Sequence, residues 1–149
     1  MRVRLARSAD AEAVNELLGQ LGYPQDDRAA TADRLQAWFD DPASAAYIAE
    51  TDDESLGVIA VHVCPFFERK GAWGRITALV VSDRARGYGV GSRLVEAAES
   101  FAAGHGCVRM EVTSNDRRPD AHRFYERRGY TGQAGISSRF LHDLPSCRG

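Results

Sequence analysis

Arg84-Ala85-Arg86-Gly87-Tyr88-Gly89-Val90-Gly91-Ser92 sets three glycines at alternate positions just before a helical repeat. In that repeat Val90, Leu94, Ala97, Ala98 and Phe101 share one side, and Gly104 stands past the end. Residues without a Cβ let backbone N–H groups turn toward one point, and the helix start adds the positive end of its dipole, so the stretch reads as an anion cradle flanked by two arginines. A tight strand-to-helix turn with solvent-facing arginines is the other reading of the same residues. A Walker phosphate loop is disfavoured because no Lys precedes Ser92. The Rossmann pattern fits poorly because its third glycine would fall at position 92.

Upstream of this turn, Trp73 to Val81 is a strand dense in apolar residues toward its end, as burial on both faces requires. Downstream, Val108 to Asn115 is the next strand. A whole helix connects the two, so they are expected to lie parallel with a right-handed crossover. Farther out, Arg2 to Arg7 alternates as a short strand, and Ser8 and Asp10 offer caps for a helix carrying Val14, Leu17, Leu18 and Leu21 that stops at Gly22. A second helix with Leu35, Trp38 and Phe39 as its stripe ends at Asp41-Pro42. Tyr47 to Glu50 and Leu56 to Cys64 form an antiparallel hairpin around Asp52-Asp53-Glu54. A short helix begins near Pro119 and ends at Gly129, and Tyr130 to Gly132 and Ser137 to Leu144 are expected as closing strands. The order is β-α-α-β-β-β-α-β-α-β-β, a mixed α/β sheet with one parallel unit at its centre.

A chain of 149 residues is expected to be one domain built on one core. Nineteen basic against twenty-one acidic residues give a net charge of −2, which provides no global field for nucleic acid or anionic lipid, so any anion site must be local. Cys64, Cys107 and Cys147 are odd in number and form no CxxC pair, which argues against a disulfide framework and a zinc site. No apolar run reaches the length of a membrane span, and Met1 to Asp10 lacks the apolar stretch of a secretion signal. A cytoplasmic protein is expected, with no metal, nucleic acid or membrane partner.

A second constellation makes the reading specific. Arg86-x-x-Gly89-x-Gly91 is followed about thirty residues later by a strand, the Ala121-x-x-Phe124-Tyr125 helix and Gly129-Tyr130. Together these resemble the acetyl-CoA-binding core of the GNAT superfamily of N-acetyltransferases. Leu21-Gly22-Tyr23-Pro24, the Gly57-to-His62 strand and Arg139-Phe140 are weaker matches, the last to small-amine members such as aminoalkylphosphonate acetyltransferases. The resemblance implies a GNAT-like, mainly antiparallel twisted sheet with a central parallel strand pair and about four helices. It implies that the coenzyme pyrophosphate rests on the N–H groups of Arg86, Gly87, Tyr88, Gly89, Val90, Gly91 and Ser92. The pantetheine arm is implied to pair with the backbone of Leu79, Val80 and Val81, with Asn115 and Arg118 touching coenzyme A from the other side. Tyr125 matches the residue that protonates the leaving thiolate; a core aromatic on its helix is the alternative.

One departure stands out. Many relatives carry a glutamate on the central strand as base for the incoming amine, whereas here Arg75 occupies the place and neither Thr77 nor Ala78 supplies a carboxylate. His62 and Glu111 are the candidates. A structural His62, and an ion pair of Glu111 with Arg109 or Arg75, are their alternatives; with no candidate joining the right strand to the right residue type, the sequence favours a water relay or no dedicated base at all. Tyr23, Phe66, Phe67 and Trp73 are aromatics that could wall an acceptor cleft or pack on the core. Arg123, Arg127 and Arg128 form either a solvated face or an approach to the ribose 3′-phosphate. The implied activity is acetyl transfer from acetyl-CoA to a primary amine of a small molecule by direct attack. A protein-directed acetyltransferase and a non-catalytic acyl-CoA-binding module are the rivals, and relatives commonly pair as homodimers.

Overall fold

The computed structural model describes residues 1–113 and 119–145, which fall in two compact units. The first holds β1 (Arg2–Leu5), a 3-10 turn (Ser8–Asp10), α1 (Ala11–Leu21), α2 (Arg28–Asp40), β2 (Ser44–Glu50), β3 (Ser55–Pro65), β4 (Ala72–Val81), a second 3-10 turn (Asp83–Ala85), α3 (Val90–Gly104) and β5 (Cys107–Val112). Its sheet runs β1-β2-β3-β4-β5, antiparallel throughout except for the parallel β4–β5 pair that the intervening α3 requires. With α4 (Pro119–Arg127) of the second unit, this gives the mixed sheet and four α-helices expected of the sequence. Among the described residues β5 is the last strand of the sheet.

Strand alternation sends side chains to two different helix layers. Gly57, Ile59 and Val61 of β3 face α3, where Leu94, Val95 and Ala98 are fully buried. The approach is close: a Cβ on Gly57 would lie 2.7 Å from the Val80 carbonyl oxygen and 3.0 Å from Leu94 Cδ1. A larger residue there would push α3 off the sheet. On the opposite face Ala46, Ile48, Val58 and Val80 pack with Val14, Leu17 and Leu35 of α1 and α2. In α2 it is Thr31 and Leu35 that are buried, while Phe39 stays exposed beneath the Arg7 guanidinium, 5.0 Å from its ring. The helix stripe is therefore shifted one turn from the one the apolar residues alone indicate.

Arg4 ties the first strand to the rest. Its guanidinium donates to both oxygens of Asp10 (2.9 and 2.8 Å) and to both of Glu50 (2.9 and 3.1 Å). Asp10 also accepts from the Arg7 N–H at 2.8 Å, so its capping bond reaches back to the start of the 3-10 turn.

In the second unit α4 begins at Pro119, and the Tyr130 N–H returns to the Tyr125 carbonyl at 3.0 Å to close its end. The closing strands expected at 130–132 and 137–144 do not form. Every described residue from 131 to 145 is exposed, so this segment has neither a buried face nor a strand ladder to fix it in pleated form.

Candidate functional site

Two features of the first unit converge in sequence on Val81 to Ser92. The first is the start of α3. Gly87 and Gly89 have φ of +87° and +77°, values that bring the chain abruptly from the 3-10 turn into the helix and that residues with a Cβ resist. The helix ladder begins with Arg93 N–H donating to the Gly89 carbonyl at 3.1 Å, which leaves the N–H groups of Val90, Gly91 and Ser92 outside it. No side chain caps this end and its first turn holds no acidic residue. Val90 is buried while Tyr88 is exposed, so the turn is anchored on one side and open on the other. These are the properties of an anion-binding helix start. The flanking arginines lie against carboxylates, Arg86 with Asp83 (3.0 Å) and Arg84 with Glu54 (3.0 Å).

The second feature is the outer edge of β4. Parallel pairing with β5 stops at Ile76 opposite Val112, so Thr77 to Val81, including Leu79, Val80 and Val81, have no strand on that side among the described residues. On the β3 side Ala60 pairs with Ala78 and Val61 with Ile76, which makes Thr77 a bulge residue. A backbone edge unpaired among the described residues therefore leads along the chain toward the uncapped start of α3. Together they can take an extended amide-bearing arm and a phosphate group.

The candidate bases fall into one row that crosses four strands. Ser44 of β2 is paired with His62 of β3, His62 with Arg75 of β4, and Arg75 with Glu111 of β5, so the four side chains share one face of the sheet. Arg75 donates to Glu111 Oε1 at 3.2 Å and to Thr113 Oγ1 at 3.4 Å. The ion pair of Glu111 is thus with Arg75 rather than Arg109. His62 Nδ1 lies 2.8 Å from Ser44 Oγ, and Ser44 Oγ donates to Asp41 Oδ2 at 2.7 Å. The Ala43 N–H and the Ser44 hydroxyl hold the Asp41 carboxyl below the usual carboxylate range.

Asp41 and Ser44 are members of this network that the sequence does not announce. Asp41-Pro42 reads there as a helix end, and the one available signal is the spacing of an Asx turn, in which Asp41 Oδ1 accepts from the Ala43 N–H at 2.9 Å.

Of the aromatics, Phe66 lies under the guanidinium of Arg69 (4.2 Å) and near that of Arg109 (5.9 Å), and Trp73 is paired with Cys64. Tyr23 and Phe67 are exposed. A groove of about 400 Å³ beside α1 is lined by Asp10, Glu12, Glu16, Asp53 and Glu54 with Arg84, a lining that repels phosphate.

Within the second unit Tyr125 is half-buried, edge-on to Phe124 (5.2 Å between centroids) and tilted against Tyr130 (5.7 Å). Arg123 pairs with Asp120 one turn away. Asn115 and Arg118 lie outside the described residues. No group of three or more His, Cys, Asp or Glu among the described residues could hold a metal, and no described helix is long and apolar enough to cross a membrane.

Comparison with known proteins bears on this geometry. Residues 11–130 match the model of the acetyltransferase (GNAT) family. The aminoalkylphosphonate N-acetyltransferase of Salmonella typhimurium LT2 is 35% identical over 129 residues, covering 86% of this chain and 83% of that protein. A transcriptional regulator from Bacillus halodurans C-125 superposes with a TM-score of 0.84 at 24% identity, over 95% of this chain and 99% of its own. A GNAT family acetyltransferase of Staphylococcus aureus does so with a TM-score of 0.77 at 23% identity, over 96% and 98%. These two structures share the fold.

Proposed function

We propose that this chain, which belongs to the GNAT acetyltransferase family and is an acetyltransferase, moves an acetyl group from acetyl-CoA to the primary amine of a small molecule by direct attack. The observation that carries the reading is the open β4 edge running into the uncapped start of α3. On it, the backbone of Leu79, Val80 and Val81 pairs with the pantetheine amides, and the N–H groups of Arg86 to Ser92 receive the pyrophosphate. Asn115 and Arg118 add coenzyme contacts as the resemblance implies. One molecule then holds donor and acceptor together, which removes the entropy cost of their encounter. A backbone N–H near Leu79 stabilises the charge that develops on the thioester oxygen, and Tyr125 protonates the departing thiolate. In that row His62 is the group able to take the amine's proton, since Glu111 is paired with Arg75. Residues 1–149 serve as a single acetyltransferase domain, cytoplasmic and, as the resemblance implies, homodimeric.

The relative at 35% identity acts on aminoalkylphosphonates, amines that carry an acid. An acceptor of that kind suits Arg109, which lies on the same sheet face as Arg75 and has no carboxylate partner among the described residues. The test is turnover of acetyl-CoA against a panel of primary amines, with and without a phosphonate or carboxylate, followed by mass spectrometry of the product. N-acetylation of a small amine is expected. Acetylation of peptides alone would make the chain protein-directed, and coenzyme binding without turnover would make it a binding module.

A further inference from the structure

The hydrogen bonds around His62 determine which of its nitrogens is basic. Ser44 Oγ lies between Asp41 Oδ2 at 2.7 Å and His62 Nδ1 at 2.8 Å, and a hydroxyl has only one proton to give. The Asp41 carboxylate, fastened by the Ala43 N–H at 2.9 Å, can only accept. Ser44 therefore donates to Asp41, and its oxygen accepts from His62 Nδ1–H. In the neutral ring that leaves the lone pair on Nε2, which has no hydrogen-bond partner among the described residues. The charged and titratable groups around the ring are Asp41 from the α2–β2 turn, Arg75 of β4, Glu111 of β5 beyond it, and Cys64 two residues along β3. Arg75 is turned to Glu111 and Thr113, which removes Glu111 as a free carboxylate and keeps the guanidinium engaged.

We infer that Asp41 and Ser44 are positioning residues that hold His62 in its Nδ1–H tautomer, so that Nε2 is the base that deprotonates the acceptor amine. The inference rests on the acetyl-transfer reading above. The acceptor ammonium gives one proton to Nε2, and its nitrogen then bonds to the acetyl carbon as the C–S bond breaks. Tyr125 gives its proton to the departing thiolate, which leaves as a thiol, the second amine proton restores the Tyr125 hydroxyl, and His62 returns its proton to water. The imidazolium formed on the way keeps its Nδ1–H bond to Ser44, and the Asp41 carboxylate 4.0 Å away stabilises its charge.

The direct test is long-range proton–nitrogen correlation on protein labelled with nitrogen-15 in its four histidines, with the His62 signals identified by their loss in His62→Gln. At a pH where the ring is neutral, Nδ1 is expected protonated and Nε2 bare. Asp41→Asn and Ser44→Ala are expected to shift the ring toward Nε2–H, while Ser44→Thr, which keeps the hydroxyl, retains the wild-type pattern. A wild-type ring already in the Nε2–H form, or one unmoved by both variants, overturns the inference.

Kinetics supply the second arm. Asp41→Asn and Ser44→Ala should lower kcat/KM by roughly 10- to 100-fold at neutral pH, and His62→Gln by about 10² to 10⁴. All three deficits should shrink at alkaline pH, where the amine is already free. Variants with unchanged pH profiles in an active enzyme overturn the inference alone. Wild-type protein that acetylates no amine overturns the functional reading and leaves the tautomer result standing.

Discussion

Ile76 of β4 is the last residue to find a partner on β5, opposite Val112, and beyond it the strand's outer edge stays open among the described residues. Thirteen positions on, Gly89 turns at φ +77° into a helix with no cap. A strand edge that offers backbone pairing and a helix start that offers N–H groups are thus joined by one short stretch of chain.

Coenzyme A and acetyl-CoA are expected to raise the melting temperature, since a ligand at a hundred times its Kd stabilises the folded state by about 2.7 kcal/mol. Gly89→Ala should cost the unliganded protein roughly 1 to 2 kcal/mol, because a Cβ is strained at that φ although open space surrounds it. The same variant should lose most of the coenzyme-induced shift. Thermal scans with and without coenzyme read both effects, and a full shift in the variant would place the phosphate elsewhere.

Tyr125→Phe should lower turnover by about 10² to 10⁴ with little change in coenzyme affinity, the signature of losing a proton donor rather than a binding contact. Steady-state rates paired with calorimetric Kd values separate the two. Near-normal turnover would leave solvent as the proton donor.

Much of this was legible in the sequence. The alternating glycines before Val90 fixed the helix start, and a helix between two strands required β4 and β5 to be parallel. Other parts depend on long-range register. Nothing local tells that Ser44, His62, Arg75 and Glu111 stand in one row, since strand partners are set by the whole sheet and by the bulge at Thr77. Asp41 reads as a helix terminator because its link to His62 runs through a hydroxyl on another element. The expectation of strands near 130–132 and 137–144 failed because the described residues from 131 to 145 are all exposed, so no buried face holds the segment in pleated form.

Acid sensitivity should centre on Arg4. Its hydrogen bonds hold the Asp10 and Glu50 carboxyls below the ordinary carboxylate range. A depressed carboxyl contributes stability that is fully present above its unfolded pKa, about 4, and is lost as pH falls through the lower folded value. Arg4→Gln should therefore lower Tm by a few degrees at pH 7, and the gap between variant and wild type should close below about pH 4. A gap independent of pH would show that Arg4 acts through packing instead.

Backbone amide hydrogen exchange with and without acetyl-CoA tests most directly whether the β4 edge and the α3 start form the coenzyme site. Slowed exchange is expected at residues 77–81 and 86–92, with the acid-lined groove around Glu12, Glu16 and Glu54 unchanged. Protection in that groove, or none in the two segments at saturating acetyl-CoA, would contradict the account.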